Sequence, residues 1–177
     1  MHIRPMTEAD CAAVCALWNP FIRDTLVTFT GAEKTPQELV QMLAEKARAG
    51  HGALVLEEGG RVTGYAGYGQ FRGGPGYRHT MEHTILLAPE SRSRGQGRAL
   101  MAALEDHARA AGAHSMFAGV SAANPEGVAF HAAIGYREVA RLAQVGRKFG
   151  QWLDLVLMQK MLAPRDMRPA DSTGQKS

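Results

Sequence analysis

Arg92-Ser93-Arg94-Gly95-Gln96-Gly97-Arg98-Ala99-Leu100 is a basic, glycine-bearing run set between two segments of different character. Before it, Met81 to Leu87 reads as a strand. After it, Gln96 to Ala110 is rich in Ala and Leu, is closed by Gly112, and predicts a helix. A strand, a glycine loop and a helix in that order aim successive backbone N–H groups outward at a helix N-terminus. Such a terminus binds anions, and flanking arginines add charge and bidentate donors. Glycines let a phosphate approach the backbone with no Cβ in the way. Two phosphate loops are excluded. The dinucleotide fingerprint G-x-G-x-x-G meets Leu100 where its third glycine belongs, and the Gly-Lys-Ser/Thr of a Walker loop is absent. What remains is Arg92-x-x-Gly95-x-Gly97.

Outward from this run the chain alternates strands and helices. Ile3-Arg4-Pro5 reads as a short strand, and Thr7 with Asp10 as a helix start. Thr35-Pro36-Gln37-Glu38 combines a cap residue, proline at the first helical position and an acid at the third. Leu39, Met42 and Leu43 follow at helical spacing, and Gly50 ends that helix. Ala53 to Leu56 and Val62 to Phe71 are strands about a Gly59-Gly60 turn, and Gly73-Gly74-Pro75-Gly76 is a loop. Ser115 to Val120 is a strand, and Pro125 to Ala133 a short helix closed by Gly135. Two last strands, about 136–145 and 152–161, lie around Gly146 and Gly150. This order predicts an α/β fold with a mixed central sheet and helices on both faces. Residues 1–162 read as one domain, and 163–177 as a polar, frayed tail.

Composition narrows the function classes. At 177 residues and 45% hydrophobic, the chain builds one core. The net charge is +3, of which the tail supplies +1 (Arg165, Arg168 and Lys176 against Asp166 and Asp171), leaving a mild excess that does not argue for nucleic acid. No apolar run is long enough to span a membrane, and the first residues do not read as a secretory signal, so a cytoplasmic protein is expected. Two cysteines, Cys11 and Cys15, exclude a disulfide scaffold. They share an apolar helical stripe with Val14 and Trp18 and read as core.

The Arg92–Gly97 loop resembles the acetyl-CoA pyrophosphate loop of the GNAT superfamily of N-acetyltransferases. Asn124, His131 and Gly135-Tyr136 resemble that superfamily's second helix motif. Met81-Glu82-His83-Thr84, Thr25 to Phe29, Thr35 to Glu38 and Val145 to Leu155 narrow the resemblance to its phosphinothricin and methionine sulfone/sulfoximine acetyltransferase branch. It covers residues 3 to 162 and implies a single-domain GNAT-like fold. It also implies that Ile85, Leu86 and Leu87 bond the pantetheine arm as an added strand and that Ser93, Arg94, Gly95, Gln96, Gly97 and Arg98 cradle the pyrophosphate. Asn124 would meet the cofactor near its thioester. Arg72, Gly73, Gly74, Glu82, His83 and Thr84 would line the acceptor pocket, and the last hairpin would form a homodimer, with Lys148 and Phe149 approaching the partner's pocket. The chain departs from the branch at Gly73-Gly74-Pro75-Gly76, at Asp24-Thr25-Leu26 and at Pro125.

Acetyl transfer to an amine requires a base for the ammonium, a donor for the oxyanion and a proton for the departing thiolate. Glu82, on an apolar strand, is the candidate base; a salt-bridged strand acid is the plain alternative. The N–H of Leu86 or Leu87 is the candidate oxyanion donor. His131 is the candidate acid, since an unperturbed imidazole titrates near neutrality; a packed helix histidine is its alternative. Arg72 is the candidate clamp for a substrate carboxylate, with a solvated loop arginine as its alternative, and Trp152 reads as core. His79-Thr80-Met81-Glu82-His83 spells H-x-x-E-H, a zinc pattern that works on a helix. On a strand the two histidines lie about 13 Å apart at ~3.3 Å per residue, so no metal is expected. Two function classes follow: an acetyl-CoA-dependent N-acetyltransferase for a small amino acid or its analogue, and a non-catalytic acetyl-CoA sensor. An acetyltransferase for another amine or a protein N-terminus keeps the first class and changes the acceptor.

Overall fold

The computed structural model describes residues 1–92 and 94–162, so Ser93 and the expected tail from 163 onward lie outside the described residues. The elements are β1 (His2–Pro5), α1 (Cys11–Asp24), α2 (Pro36–Arg48), β2 (Ala53–Glu58), β3 (Arg61–Gln70), β4 (Thr80–Leu87), α3 (Gln96–Ala110), β5 (Ser115–Ser121), α4 (Pro125–Ala133), β6 (Arg137–Lys148) and β7 (Gln151–Met161). They build one seven-stranded sheet in the order β1-β2-β3-β4-β5-β7-β6. Every pair is antiparallel except β4 with β5.

Helices cover both faces because the strands alternate. Along β2, Leu54 and Leu56 join a core with Leu100, Met101 and Leu104 of α3. The intervening Ala53 and Val55 join a second core with Cys11, Val14 and Cys15 of α1 and Leu39 of α2. Both thiols are free and buried. Local chemistry sets the helix starts. Thr35 Oγ1 accepts from Glu38 N at 3.2 Å while Glu38 Oε2 accepts from Thr35 N at 2.7 Å, a reciprocal capping box.

The feature that makes a site is a ladder that stops early. β4 and β5 pair only from Thr80↔Ser115 to His83↔Ala118. Beyond His83, β5 stays paired with β7 as far as Ser121↔Leu155, and Thr84–Leu87 keeps β3 on one edge alone. Ala88 N donates to Thr63 O, and Phe71 N donates to Thr80 O. Antiparallel bonding alternates by two, so even-numbered β4 residues aim their backbone groups at β3. The N–H and C=O of Ile85 and Leu87 therefore point into the gap. Leu86, expected to share this role, instead bonds toward β3 opposite Tyr65, and its side chain is buried in the α1 core.

The terminal hairpin differs from its expected outline. Gly146 lies inside β6, and the turn is Phe149-Gly150, closed by the Lys148↔Gln151 pair. Both turn residues have positive φ, 48° and 76°, as a two-residue hairpin turn requires. β6 reaches past residue 145 through a bulge between Leu142 and Gly146, where Gln144 has φ 52° and its N–H donates to Asp154 Oδ1 at 2.9 Å. Trp152, read as core, is 59% exposed; it sits beside the turn with the Arg147 guanidinium 5.6 Å from its ring.

Candidate active site

The gap opens into a cleft of about 840 Å³. One wall is α1 with the segment 25–30, and the other is α4 with the first turn of α3. Glu82 and Thr84 project on the α1 face of β4, while His83 and Ile85 project on the α3 face, as strand alternation dictates.

Glu82 is half-buried, and its Oε1 lies over β5: a Cβ on Gly119 would come within 2.9 Å of it. Burial raises the Glu82 pKa above the ordinary carboxylate value, and Arg72 pulls it partly back. Across the gap, His131 is buried, and its Nδ1–H donates to Gly127 O at 2.7 Å. Burial pushes the His131 pKa below that of free imidazole. That direction favours the neutral ring, in which the one N–H is the Nδ1–H held by Gly127 O and Nε2 is an acceptor. His83 is buried too, its ring 5.1 Å from that of His131, so it faces away from Glu82. Asn124 caps α4 by accepting from Gly127 N at 3.0 Å, which leaves its amide N–H groups for the cleft. Pro125 stands at the first helical position, where a missing N–H costs nothing.

At the other end, α3 begins with Gly95 in the left-handed region at φ 75°. The first N–H used within the helix there is that of Ala99, donating to Gly95 O at 3.1 Å, so among the described residues those of Gln96, Gly97 and Arg98 have no backbone partner and can bind an anion. A Cβ on Gly95 would meet open space. Arg92 and Arg98 border the cleft. The side chains of Arg94 and Gln96 turn to Glu58, each with a contact of 3.2 Å, so these two residues face the anion through backbone alone.

A family model described as the acetyltransferase (GNAT) family matches residues 18–136. The chain belongs to the GNAT acetyltransferase family. It is 38% identical over 165 residues to "L-amino acid N-acyltransferase MnaT" of Escherichia coli (strain K12), spanning 93% of this chain and 96% of that one. It is 36% identical over 162 residues to the L-methionine sulfoximine/L-methionine sulfone acetyltransferase of Salmonella typhimurium, spanning 92% and 95%. The fold superposes with TM-score 0.89, at 35% identity over 96% of this chain and 98% of that one, on the Salmonella typhimurium protein yncA solved with its cofactor acetyl-CoA.

Within this GNAT frame several expected site residues sit elsewhere. Arg72, Gly73 and Gly74 are exposed and outside the cleft lining, although Arg72 still acts on Glu82 through its charge. Lys148, expected to reach a partner's pocket, is buried in its own chain and donates to Thr28 O at 2.9 Å. Gly97 does line the cleft, and it is also packed against neighbours: a Cβ there would come within 2.8 Å of Leu87 Cδ1 and 3.2 Å of Phe130 Cε2. Gly97→Val is accordingly expected to cost about 1–3 kcal/mol of stability by overpacking, read by denaturant unfolding of the ligand-free protein. Phe21, Val27 and Phe29 also line the cleft. Apolar residues in and after a helix carry no chemical signature, and only the resemblance of Thr25 to Phe29 marked this wall.

Proposed function

We propose that the protein transfers the acetyl group of acetyl-CoA to the amine of a small amino acid or its sulfone, sulfoximine or phosphinate analogue, by direct attack in this cleft. The observation that carries the reading is an edge at Ile85 and Leu87 that no described residue pairs, with a half-buried carboxylate beside it and, beyond, a helix N-terminus that no described residue caps. The pyrophosphate fits the α3 N-terminus between Arg92 and Arg98, and the pantetheine amides fit the strand edge. The N–H of Ile85 or Leu87 then serves as oxyanion donor. Glu82 takes the ammonium proton, for which a burial-raised pKa suits it. Among the described residues no group of three or more His, Cys, Asp and Glu is placed to hold a metal, and the chemistry asks for none.

Release of free thiol from acetyl-CoA, with and without amino acids, their analogues and an alanine-terminated peptide, tests this. Thiol release driven by small amino acids is expected. Acetyl-CoA binding with no acceptor-driven release would mean a sensor, and release with the peptide alone a protein N-terminal acetyltransferase.

The reading includes a C₂ homodimer through the β6–β7 hairpin, whose outer face exposes Val139, Val145, Phe149 and Trp152. Phe149→Glu is expected to turn a dimer into a monomer by light scattering at micromolar concentration. A reducing cytoplasm suits the free Cys11 and Cys15, and no helix among the described residues is long and apolar enough to cross a membrane.

A further inference from the structure

Three buried ring nitrogens with no hydrogen-bond partner among the described residues, both of His83 and Nε2 of His131, crowd behind the α4 wall beside the Tyr136 hydroxyl and the Glu105 carboxylate that it faces. They belong to one seam. Ring centroids are 5.1 Å apart for His83–His131, and 5.5 Å for both His83–Tyr136 and His131–Tyr136. Burial raises the Tyr136 pKa, and the charge of Glu105 of α3, within hydrogen-bond reach of the hydroxyl, raises it further. Glu105 Oε2 accepts from Lys160 Nζ of β7 at 2.6 Å and lies 3.5 Å from Arg109. The Lys160 and Arg109 side chains are 24% and 40% exposed, so the seam runs from the cleft wall to solvent.

The seam is short of donors. His131 spends its N–H on Gly127, His83 has one N–H, and Tyr136 has one O–H. Against these two stand four acceptors: His131 Nε2, the second nitrogen of His83, the Tyr136 oxygen and Glu105 Oε1. A buried water brings two donors and closes the deficit. Leaving such groups unpaired costs more than apolar residues of the same shape would, so a polar seam in this place asks for a use.

The reaction supplies one. A substrate ammonium has three N–H bonds and the product amide has one. As the C–N bond forms and the C–S bond breaks, two protons leave nitrogen, one is gained by sulfur, and one is released. Glu82 serves nitrogen on the α1 face of the gap. On the proposed reading sulfur departs on the Asn124 side of the cleft, beside α4, where His131 in its neutral form has no free N–H to give.

We propose that the seam holds ordered water and conducts the proton that the departing thiolate takes up, with His83 and Tyr136 as positioning residues. The proton passes His131 Nε2 and is replaced from solvent at Lys160 and Arg109, so no further reactant is needed. The groups facing the seam are Glu105 and Arg109 from α3, Lys160 from β7, His83 from β4, His131 from α4, and Tyr136 just beyond it. The proposal rests on the reading of the cleft as an acetyl-transfer site.

Tyr136→Phe removes one hydroxyl, and His83→Phe keeps a ring while removing both nitrogens. Each is expected to lower kcat by about 10-fold, less than the 10²–10⁴ of a direct acid–base group. KM for acetyl-CoA and amine should stay within about twofold in Tyr136→Phe, since Tyr136, unlike His83, does not line the cleft. The solvent deuterium isotope effect on kcat should rise, because proton delivery becomes slower. Histidine ¹⁵N resonances of the substrate-free protein should show His131 Nε2 shifted in Tyr136→Phe. A folded Tyr136→Phe with wild-type kcat, the same isotope effect and an unmoved His131 resonance overturns the proposal, even if His83→Phe does not fold. Absence of any acetyl transfer by the wild type would instead remove the reading of the cleft, and the resonance shift would still decide whether the seam is one hydrogen-bonded unit.

Discussion

Glu82→Gln is expected to lower turnover by on the order of 10²–10⁴-fold at pH 7, with acetyl-CoA affinity unchanged. Glutamine keeps the shape and most of the hydrogen bonding and loses only basicity. The side chain lies on the α1 face over Gly119, away from the gap-facing backbone of Ile85 and Leu87 and from the α3 N-terminus, so cofactor contacts survive. Burial raises the Glu82 pKa and Arg72 partly restores it. A base must be ionised, so wild-type kcat/KM should fall as pH drops through a value above the ordinary carboxylate range. The variant should lack that limb. Its deficit should shrink toward pH ~9.5, where more substrate amine is already neutral. Near-wild-type turnover at pH 7 would make Glu82 a structural acid. An equal deficit at every pH would make it a positioning group, with the proton leaving to water.

What the sequence made legible was what neighbours in the chain decide. Gln96–Ala110 and Pro125–Ala133 are the helices their composition and flanking glycines and proline predict. Thr35–Glu38 forms its capping box because both partners lie within one turn. Misreadings arose where a distant strand or side chain decides. Whether Leu86 or its neighbours face the gap depends on the β3–β4 register, which places Tyr65 opposite Leu86. Arg94 and Gln96 are claimed by Glu58, 36 and 38 residues away. Gly97 lines the cleft, but that its Cα also packs against Leu87 and Phe130 is decided by the fold. Which nitrogen of His131 carries its proton is set by the Gly127 carbonyl, which holds Nδ1–H. The H-x-x-E-H spelling dissolves for the same kind of reason: His79 precedes β4 and bonds Gly112 O at 2.8 Å, while His83 is buried within the strand.

Segment 25–30, the cleft wall that would meet the amine in the proposed reaction, carries the other large expected effect. It has no regular structure, yet it is fastened at several points. Thr25 Oγ1 donates to Phe21 O at 2.6 Å, Lys148 Nζ donates to Thr28 O, and just beyond, Asn19 exchanges two 2.9 Å bonds with the Lys34 backbone. Phe29 lies flat on Gly146 of the bulged strand β6, where a Cβ would come within 2.3 Å of Cδ2 and 2.6 Å of Cγ. Those atoms are the body of the ring, so Gly146→Val must evict Phe29 from the cleft. A misplacement of about 1 Å in a reacting site can cost 10²-fold. The kcat/KM for the amine is therefore expected to fall on the order of 10²-fold. Acetyl-CoA affinity should hold, because the strand edge at Ile85 and Leu87 and the first turn of α3 do not touch this contact. Lys148→Met, which frees Thr28 O without adding bulk, should move the amine KM in the same direction by less. Steady-state kinetics with each substrate varied in turn separates the two. If acetyl-CoA affinity falls as far as amine kcat/KM in Gly146→Val, the hairpin holds the whole cleft open. If only the amine suffers, β6 sets the acceptor wall through Phe29.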